Sequence, residues 1–295
     1  MLFDQITSIL VPLFLIAASG TLYARLFNPD MTVPNALNMN VFLPALIFAV
    51  LVKQDFDVGS LMGLTLGATV IVLVSGLAGW AIARMCGFDP RTLAPPMMFS
   101  NSGNLGLPLM TLTFGTVALP AATVVLLVEN VLHFTLGSYL LSRGQNPLRN
   151  LFSPIILATA AAILFNASGL NLDTRLFDTI EMLGRISIPL MLFSLGTRLI
   201  HAELREWKIA VTAGICTPVV GIALAFLVLP WLTLSPMQTG VLILFAVLPP
   251  AVLNFLFAER FAQEPEKVAS IVVVSHLITL ISLPLTLLYV LPRYG

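Results

Sequence analysis

The sequence has very few charged residues, and this scarcity already narrows the class of protein. Only 9% of the 295 residues are Asp, Glu, Lys or Arg, and acidic and basic residues balance at 14 each. Because neither sign is in excess, the composition gives no electrostatic basis for binding a nucleic acid. With 58% hydrophobic residues and a mean hydropathy of +0.99, the chain instead has the composition of a protein that crosses a membrane several times.

Cysteines and enzyme motifs are also scarce. The two cysteines, Cys86 and Cys216, lie far apart in apolar segments, so we interpret them as packing residues and expect no disulfide. The three histidines have no carboxylate pairs beside them, so we expect no metal site and no cofactor. There is no H-E-x-x-H signature and no rhomboid-type glycine two residues before Ser102, so the sequence does not predict an intramembrane enzyme. The sequence contains no ring of like charges of the kind that would predict a channel.

Apolar segments of ~20 residues can cross a bilayer as helices, and the sequence contains ten. Of the 14 basic residues, ten lie in or beside odd-numbered links, three lie on the other side, and Arg185 lies inside the seventh segment. By the positive-inside rule we expect a multi-pass protein of the cell (inner) membrane with both termini outside. The predicted spans are 7–26, 33–51, 61–85, 93–114, 119–141, 151–170, 176–199, 209–229, 237–257 and 268–291.

An internal repeat divides these spans into two sets of five. Three pairs of like residues recur in the same order in the two halves, which predicts a first repeat over 1–145 and a second over 146–295. An odd number of spans in each half inverts the second half relative to the first, a pattern of secondary transporters. The pairs are Pro12 and Pro154, Pro44 and Pro189, and His133 and His276, displaced by 142, 145 and 143 residues.

Two spans in corresponding positions carry helix-breaking sequences. Span 4 has two Asn, two Ser, two Gly and a Pro within 100–108, and span 9 has two adjacent Pro within 248–254. The backbone groups that such breaks free must find partners inside the protein. Half-helix N-termini can hold an anion, and freed carbonyls can hold a cation. Paired breaks of this kind predict a substrate site at the bilayer midplane.

The residues of these two breaks are the predicted substrate-binding set. The alternative is that the same small and polar residues only join closely packed helices. The set comprises Asn101, Ser102, Gly103, Asn104 and Pro108 in span 4, and Pro249, Pro250 and Asn254 in span 9.

Ionisable residues inside the spans are candidates for ion coupling. Glu129 is the only carboxylate near the middle of a span, which makes it a candidate proton carrier. Alternatively, Glu129 forms a fixed hydrogen bond with Asn130 or His133. His133 and His276 are either coupling residues or hydrogen-bonded packing residues. In span 7, the spacing of Glu181 and Arg185 favours an i, i+4 ion pair, and the alternative is a direct contact of Arg185 with an anionic substrate.

Several motifs together resemble one known family. They are Phe42-Leu-Pro-Ala-Leu-Ile-Phe48, Phe99-Ser-Asn-Ser-Gly-Asn-Leu-Gly-Leu-Pro108, Asn146-Pro147, Ile188-Pro-Leu190 with Ser194-Leu-Gly196, and Pro249-Pro-Ala251. The chain resembles the auxin efflux carrier family along its whole length, and the span 4 motif is the most specific part. That family includes plant PIN-type auxin carriers and bacterial malonate and malate permeases. The plant carriers insert a long loop after span 5, where this sequence has only 142–150.

The resemblance implies an all-α fold similar to that of the bile acid/sodium symporters. Ten transmembrane helices would form two inverted five-helix repeats, with the broken helices 4 and 9 crossing at the site. Helices 1, 2, 6 and 7 would be a dimerising scaffold, and helices 3–5 and 8–10 a transport domain that moves like an elevator. We therefore expect a lipid-embedded homodimer that transports a mono- or dicarboxylate such as malonate, malate or an auxin-like acid. Protons are the expected coupling ion, and sodium is the alternative.

Overall fold

The computed structural model describes residues 2–53, 59–141, 154–170, 172–199 and 206–295. Over these ranges the structure is all-helical. The structure has six helices with the length and hydropathy to cross a membrane, Leu2–Phe27, Thr32–Val52, Gly59–Cys86, Thr116–Leu141, Trp207–Trp231 and Pro265–Tyr294, so the architecture is that of a polytopic membrane protein. The helices are α1 (Leu2–Phe27), α2 (Thr32–Val52), α3 (Gly59–Cys86), α4 (Pro90–Met98), α5 (Leu107–Phe114), α6 (Thr116–Leu141), α7 (Pro154–Ser168), α8 (Thr174–Arg185), α9 (Ser187–Leu199), α10 (Trp207–Trp231), α11 (Pro236–Ala246), α12 (Leu253–Arg260) and α13 (Pro265–Tyr294).

Regular α-helix is interrupted at both of the segments that carry the breaking sequences. Span 4 divides into α4 and α5, and span 9 divides into α11 and α12. Span 7 is also divided, although its sequence does not predict a break. Ile186 separates α8 from α9 because Pro189 has no N–H to bond the carbonyl of Arg185 four residues earlier.

Three π-helical turns occur in the described chain. They cover Asn38–Phe42 inside α2, Ser102–Gly106 before α5, and His133–Gly137 inside α6. The first two end two residues before a proline, Pro44 or Pro108. A proline removes one backbone hydrogen bond and crowds the preceding turn, and the wider π turn relieves that crowding.

Glycines bring α1 and α9 into backbone contact. A Cβ added at Gly20 would lie 2.1 Å from the carbonyl oxygen of Phe193, and one added at Gly196 would lie 1.7 Å from that of Ala17. Thr21 Oγ1 also donates to the carbonyl of Gly196 at 2.9 Å. Any larger side chain at either glycine would therefore separate the two helices.

Most of the remaining contacts lie within two groups of helices, although α1 also packs on α13 across them. In the first, α1 packs on α9, and α2 packs on α7 and α8. In the second, α3 packs on α4, α6 and α10, and α13 packs on α10, α11 and α12.

The two cysteines differ in burial. Cys216 in α10 is partly buried, but Cys86 at the end of α3 is exposed, so the interpretation of Cys86 as a packing residue is wrong. Cys86 is the last residue of its helix and lies beyond Ala83, the last buried residue of that helix.

Candidate functional site

The two breaks cross and pair through their backbones. The N–H of Asn101 donates to the carbonyl of Pro249 at 2.7 Å, and the N–H of Ala251 donates to the carbonyl of Phe99 at 2.9 Å. These bonds form an antiparallel bridge centred on Ser100 and Pro250. Each break therefore supplies partners for groups that the other leaves free, as an apolar environment requires.

Side chains complete the crossing. Asn254 Nδ2 donates to the carbonyls of Phe99 and Ala251, at 2.9 and 3.0 Å. The carbonyl of Asn101 accepts from the N–H of Gly106 at 2.9 Å, which starts the second half-helix of span 4, residues 102–114. Asn101 and Asn254 are 3% and 2% exposed, so both are integral to the crossing.

A cavity of about 170 Å³ lies beside the crossing. The residues that begin the second half-helices of both broken spans, Ser102 to Asn104 and Val252 to Leu253, form part of its lining. Residues of α6 form another part, and Met39, Leu43 and Met191 contribute from α2 and α9. Each of the three π-helical turns contributes at least one lining residue. π turns are frequent at functional sites, because they redirect side chains and free backbone groups.

The cavity can attract an anion through backbone dipoles. Within the described chain, the N–H groups of Gly103 and Asn104 have no hydrogen-bond acceptor, as is usual in the first turn of a helix. The positive end of the helix dipole adds to them. Among the lining residues that the structure describes, Glu129 is the one Asp, Glu, Lys or Arg side chain. The attraction is therefore not supplied by a fixed cation.

The two carboxylate oxygens of Glu129 have different surroundings. Glu129 is 3% exposed, and its Oε1 accepts from the backbone N–H of Ser100 at 2.5 Å. Its Oε2 has no partner among the described residues, and the same holds for Asn130 Nδ2 and His133 Nε2. The hydrogen bond of Glu129 is thus to the span 4 break, and not to Asn130 or His133 as the alternative interpretation had it.

His133 is packed between aromatic rings as well as lining the cavity. Its ring stacks on Phe99 with centroids 4.1 Å apart and meets Phe257 edge-on at 4.8 Å. Gly137 makes room for this stack, since a Cβ there would lie 2.9 Å from ring atoms of both His133 and Phe99.

The structure brings together some of the predicted site residues and separates others. The cavity is bordered by six of them: Asn101, Ser102, Gly103, Asn104, Glu129 and His133. The lining does not include the other five, Pro108, Pro249, Pro250, Asn254 and His276. Pro249 and Pro250 belong to the backbone bridge, and His276 contacts Asn101. The apolar residues Met39, Leu43 and Met191 were missed, because no polar or helix-breaking signal marks them in the sequence.

The predicted ion pair in span 7 is present outside the cavity. Arg185 Nη2 lies 3.0 Å from Glu181 Oε2, and the Arg185 side chain is 69% exposed. Arg185 is therefore not a ligand of this cavity.

Comparisons with known proteins agree on the class of protein. The family described as membrane transport protein matches residues 138–287, just over half of the chain. An uncharacterized transporter of Methanothermobacter thermautotrophicus is 28% identical over 273 residues, which cover 87% of this chain and 88% of that protein. Both comparisons identify transporters and not enzymes. The chain therefore belongs to this membrane transport family, the auxin efflux carrier family of the sequence resemblance, and is an integral membrane transport protein.

Proposed function

We propose that this protein is a secondary active transporter of a small organic anion, a mono- or dicarboxylate. The observation that carries the proposal is the cavity at which the second half-helices of both broken spans begin. Its volume of about 170 Å³ is below the ~300–1,000 Å³ of sites for drug-sized ligands, which favours a substrate of a few carbon atoms. Free N–H groups at Gly103 and Asn104 would receive the carboxylate, and the Asn104 side chain would add a directional hydrogen bond.

Proton coupling is supported by the position of Glu129. An ionised carboxylate beside the cavity would repel an anionic substrate, whereas a protonated one could donate a hydrogen bond to it. Glu129 Oε2 is suited to this role, because Oε1 is already held by Ser100 and Oε2 has no partner among the described residues. The substrate anion would therefore enter together with a proton.

An elevator-like mechanism is supported by the two helix groups. In an inverted repeat, the contact of α1 with α9 corresponds to the contact of the span 6 helix, α7, with α2, and both contacts occur within the first group. The cavity lies where Met39, Leu43 and Met191 of that group meet residues of the second. We therefore assign α1, α2, α7, α8 and α9 to a fixed scaffold and the other helices to a transport domain that slides along it.

A homodimer through the scaffold is supported by the exposed ion pair of α8. A Cβ added at Gly184 would lie 2.6 Å from Cα of Leu46, a residue six positions before the end of α2. At 1.5 Å per residue this level is about 9 Å inside the helix end. Charged groups are costly against lipid at such a depth, and a second copy that covers Arg185 would remove the ion pair from lipid.

We place both termini on the outer side of the cell membrane, following the distribution of basic residues.

A sodium-coupled carrier of the same fold is the second candidate. It is favoured by Asn254 Oδ1, an enclosed oxygen at the span 9 break that has no hydrogen-bond partner among the described residues. Oxygen atoms of this kind are ligands for hard cations.

Transport by the purified protein in liposomes tests these proposals. We expect uptake of one or more labelled C2–C5 carboxylates, accelerated by an inward proton gradient and unaffected when choline replaces sodium. Loss of uptake in choline would establish the sodium-coupled alternative. Failure to move any acid of a broad panel under either gradient would overturn the organic-anion proposal.

A further inference from the structure

His276 of α13 is hydrogen-bonded through both ring nitrogens. The ring is 7% exposed. Its Nδ1 lies 2.7 Å from the carbonyl oxygen of Val272, one turn earlier in the same helix. Its Nε2 lies 3.0 Å from Nδ2 of Asn101, in the span 4 break. This second contact joins α13 to a residue that lines the cavity.

These two contacts determine which atoms donate. A carbonyl oxygen only accepts, so Nδ1 carries the proton that points to Val272. In a neutral imidazole, Nε2 then has a lone pair and must accept. The group of Asn101 that faces Nε2 must consequently be the amide NH2, and its amide oxygen must point elsewhere.

The amide oxygen is the remaining polar atom of Asn101 that has no hydrogen bond. The backbone N–H donates to Pro249, the carbonyl accepts from Gly106, and Nδ2 is paired with His276. No described residue donates to Oδ1, and Oδ1 is not among the fully enclosed atoms that lack a partner, unlike Oδ1 of Asn254. Because Asn101 borders the cavity, this oxygen is the acceptor that its side chain can offer to a substrate.

We propose that His276 is a positioning residue that orients the Asn101 amide, and that the carrier thereby selects acids bearing an O–H donor beside their carboxylate. This inference rests on the proposed function and adds a requirement to it. The half-helix N–H groups would take the carboxylate, and Asn101 Oδ1 would accept from the second group. A hydroxyl or a protonated second carboxyl could supply this donor, whereas an acid with only a hydrocarbon chain would leave the amide oxygen unpaired.

Acids of three carbon atoms provide a matched comparison. In proteoliposomes we expect lactate or malonate to compete for uptake at least about tenfold better than propionate, which corresponds to one buried hydrogen bond. A lactate preference that is constant with pH would identify the hydroxyl as the donor. A malonate preference that grows as the pH falls would identify the protonated carboxyl. Equal competition by all three acids would overturn the inference but leave organic-anion transport intact.

Substitution of His276 tests the positioning role separately. His276→Leu releases the Asn101 amide, so we expect the preference over propionate to fall towards one while propionate uptake persists. Thr279→Val is the control, since Thr279 is buried in the same helix and, among the described residues, its hydroxyl donates to the carbonyl of Ser275 in its own helix turn. It should keep the wild-type preference. An unchanged preference in His276→Leu would overturn the role of His276.

A spectroscopic measurement tests the same orientation without substitution of His276. In ¹⁵N spectra of histidine-labelled wild-type protein, we expect His276 to be the neutral tautomer protonated at Nδ1. The chain has only three histidines, so replacing the other two, His133 and His201, assigns the signal. A ring protonated at Nε2, alone or together with Nδ1, would contradict the inferred orientation of Asn101.

Discussion

Glu129 is the residue on which the proposed proton coupling depends, and Glu129→Gln tests it. Glutamine keeps an oxygen to accept from Ser100, but it places a permanent NH2 where Oε2 lies. We expect substrate exchange to continue and to lose its increase at low pH, because no carboxylate remains to repel the anion. The measurement is the exchange rate in liposomes across a pH series.

The control for this substitution is Thr123→Val. Thr123 is 1% exposed in the same helix and is not part of the cavity lining. It should keep the wild-type pH profile. If Glu129→Gln also kept that profile, another group would have to carry the proton.

Gly137 and Gly103 should respond differently to the same substitution. Gly137→Ala places a Cβ 2.9 Å from the stacked rings of His133 and Phe99, so we expect a loss of about 1–3 kcal/mol in stability from overpacking. Gly103→Ala meets only Leu126 at 3.5 Å, so stability should be unchanged while the narrower cavity weakens substrate binding. Thermal unfolding in detergent and competition for uptake measure the two effects. If Gly137→Ala kept the wild-type melting temperature, the rings of His133 and Phe99 would be able to move apart without loss of stability.

Local contacts of single residues could be predicted from the sequence, and distant ones could not. Glu181 and Arg185 pair because four residues bring side chains onto one helix face, a rule that needs no tertiary information. Ser100 and Glu129 are separated by 29 residues, and Asn101 and His276 by 175. Those pairs depend on how the helices cross, which spacing along the chain does not specify.

At the scale of elements, Asn254 joins the two broken spans. Two substitutions of Asn254 should distinguish the loss of its amide NH2 donor from the repulsion between an introduced acceptor and the carbonyls that it faces. Asn254→Ala removes two hydrogen bonds, but the carbonyl of Phe99 keeps the N–H of Ala251. Asn254→Asp instead directs an acceptor at two carbonyls. We expect a larger fall in melting temperature for Asp than for Ala, with the latter costing about 1–3 kcal/mol.

The melting temperature of each variant in detergent checks this order. A smaller fall for Asp than for Ala would mean that the introduced carboxyl group is protonated or has found a donor. In either case the crossing would not depend on the amide NH2 as described.

Helix positions were predicted better than helix irregularities. The predicted third span, 61–85, agrees with α3 at Gly59–Cys86, because uninterrupted apolar length is a direct signal. The π turn within α2 and the division of span 7 at Ile186 were not predicted. Prolines such as Pro44 and Pro189 mark disturbed helix, but whether the backbone widens or breaks depends on the packing around them.

At the scale of the whole molecule, cross-linking can test relative movement of the two helix groups. Met191 of α9 and Leu253 of α12 line the same cavity from opposite groups. In a protein with Cys86 and Cys216 replaced, we expect Met191→Cys with Leu253→Cys, joined by a short thiol cross-linker, to arrest transport. The measurement is uptake before and after reduction of a cleavable linker.

A pair within the proposed scaffold provides the control. Tyr23 of α1 and Phe193 of α9 have ring centroids 5.7 Å apart. Cross-linking cysteines at these two positions should leave transport intact. Continued transport with the Met191 and Leu253 positions joined would exclude sliding of the two groups.

The overall class of the molecule followed from its composition, whereas the composition of the cavity did not. Low charge and long apolar segments predict a polytopic membrane protein whatever the packing. Breaking residues also marked the helix-crossing region. The contribution of Met39 and Met191 required the packed structure, because apolar residues in a membrane helix look alike whether they face lipid, protein or a cavity.

The backbone bridge between Ser100 and Pro250 has a consequence for how such a carrier can change over evolution. Its bonds join main-chain atoms, which are the same whichever side chains are attached. Residues such as Ser102, Asn104 and Met39 can therefore diverge without loss of the crossing. One fold could thus bind substrates of different shape, and a library randomised at these three positions is a route to transporters with new substrates.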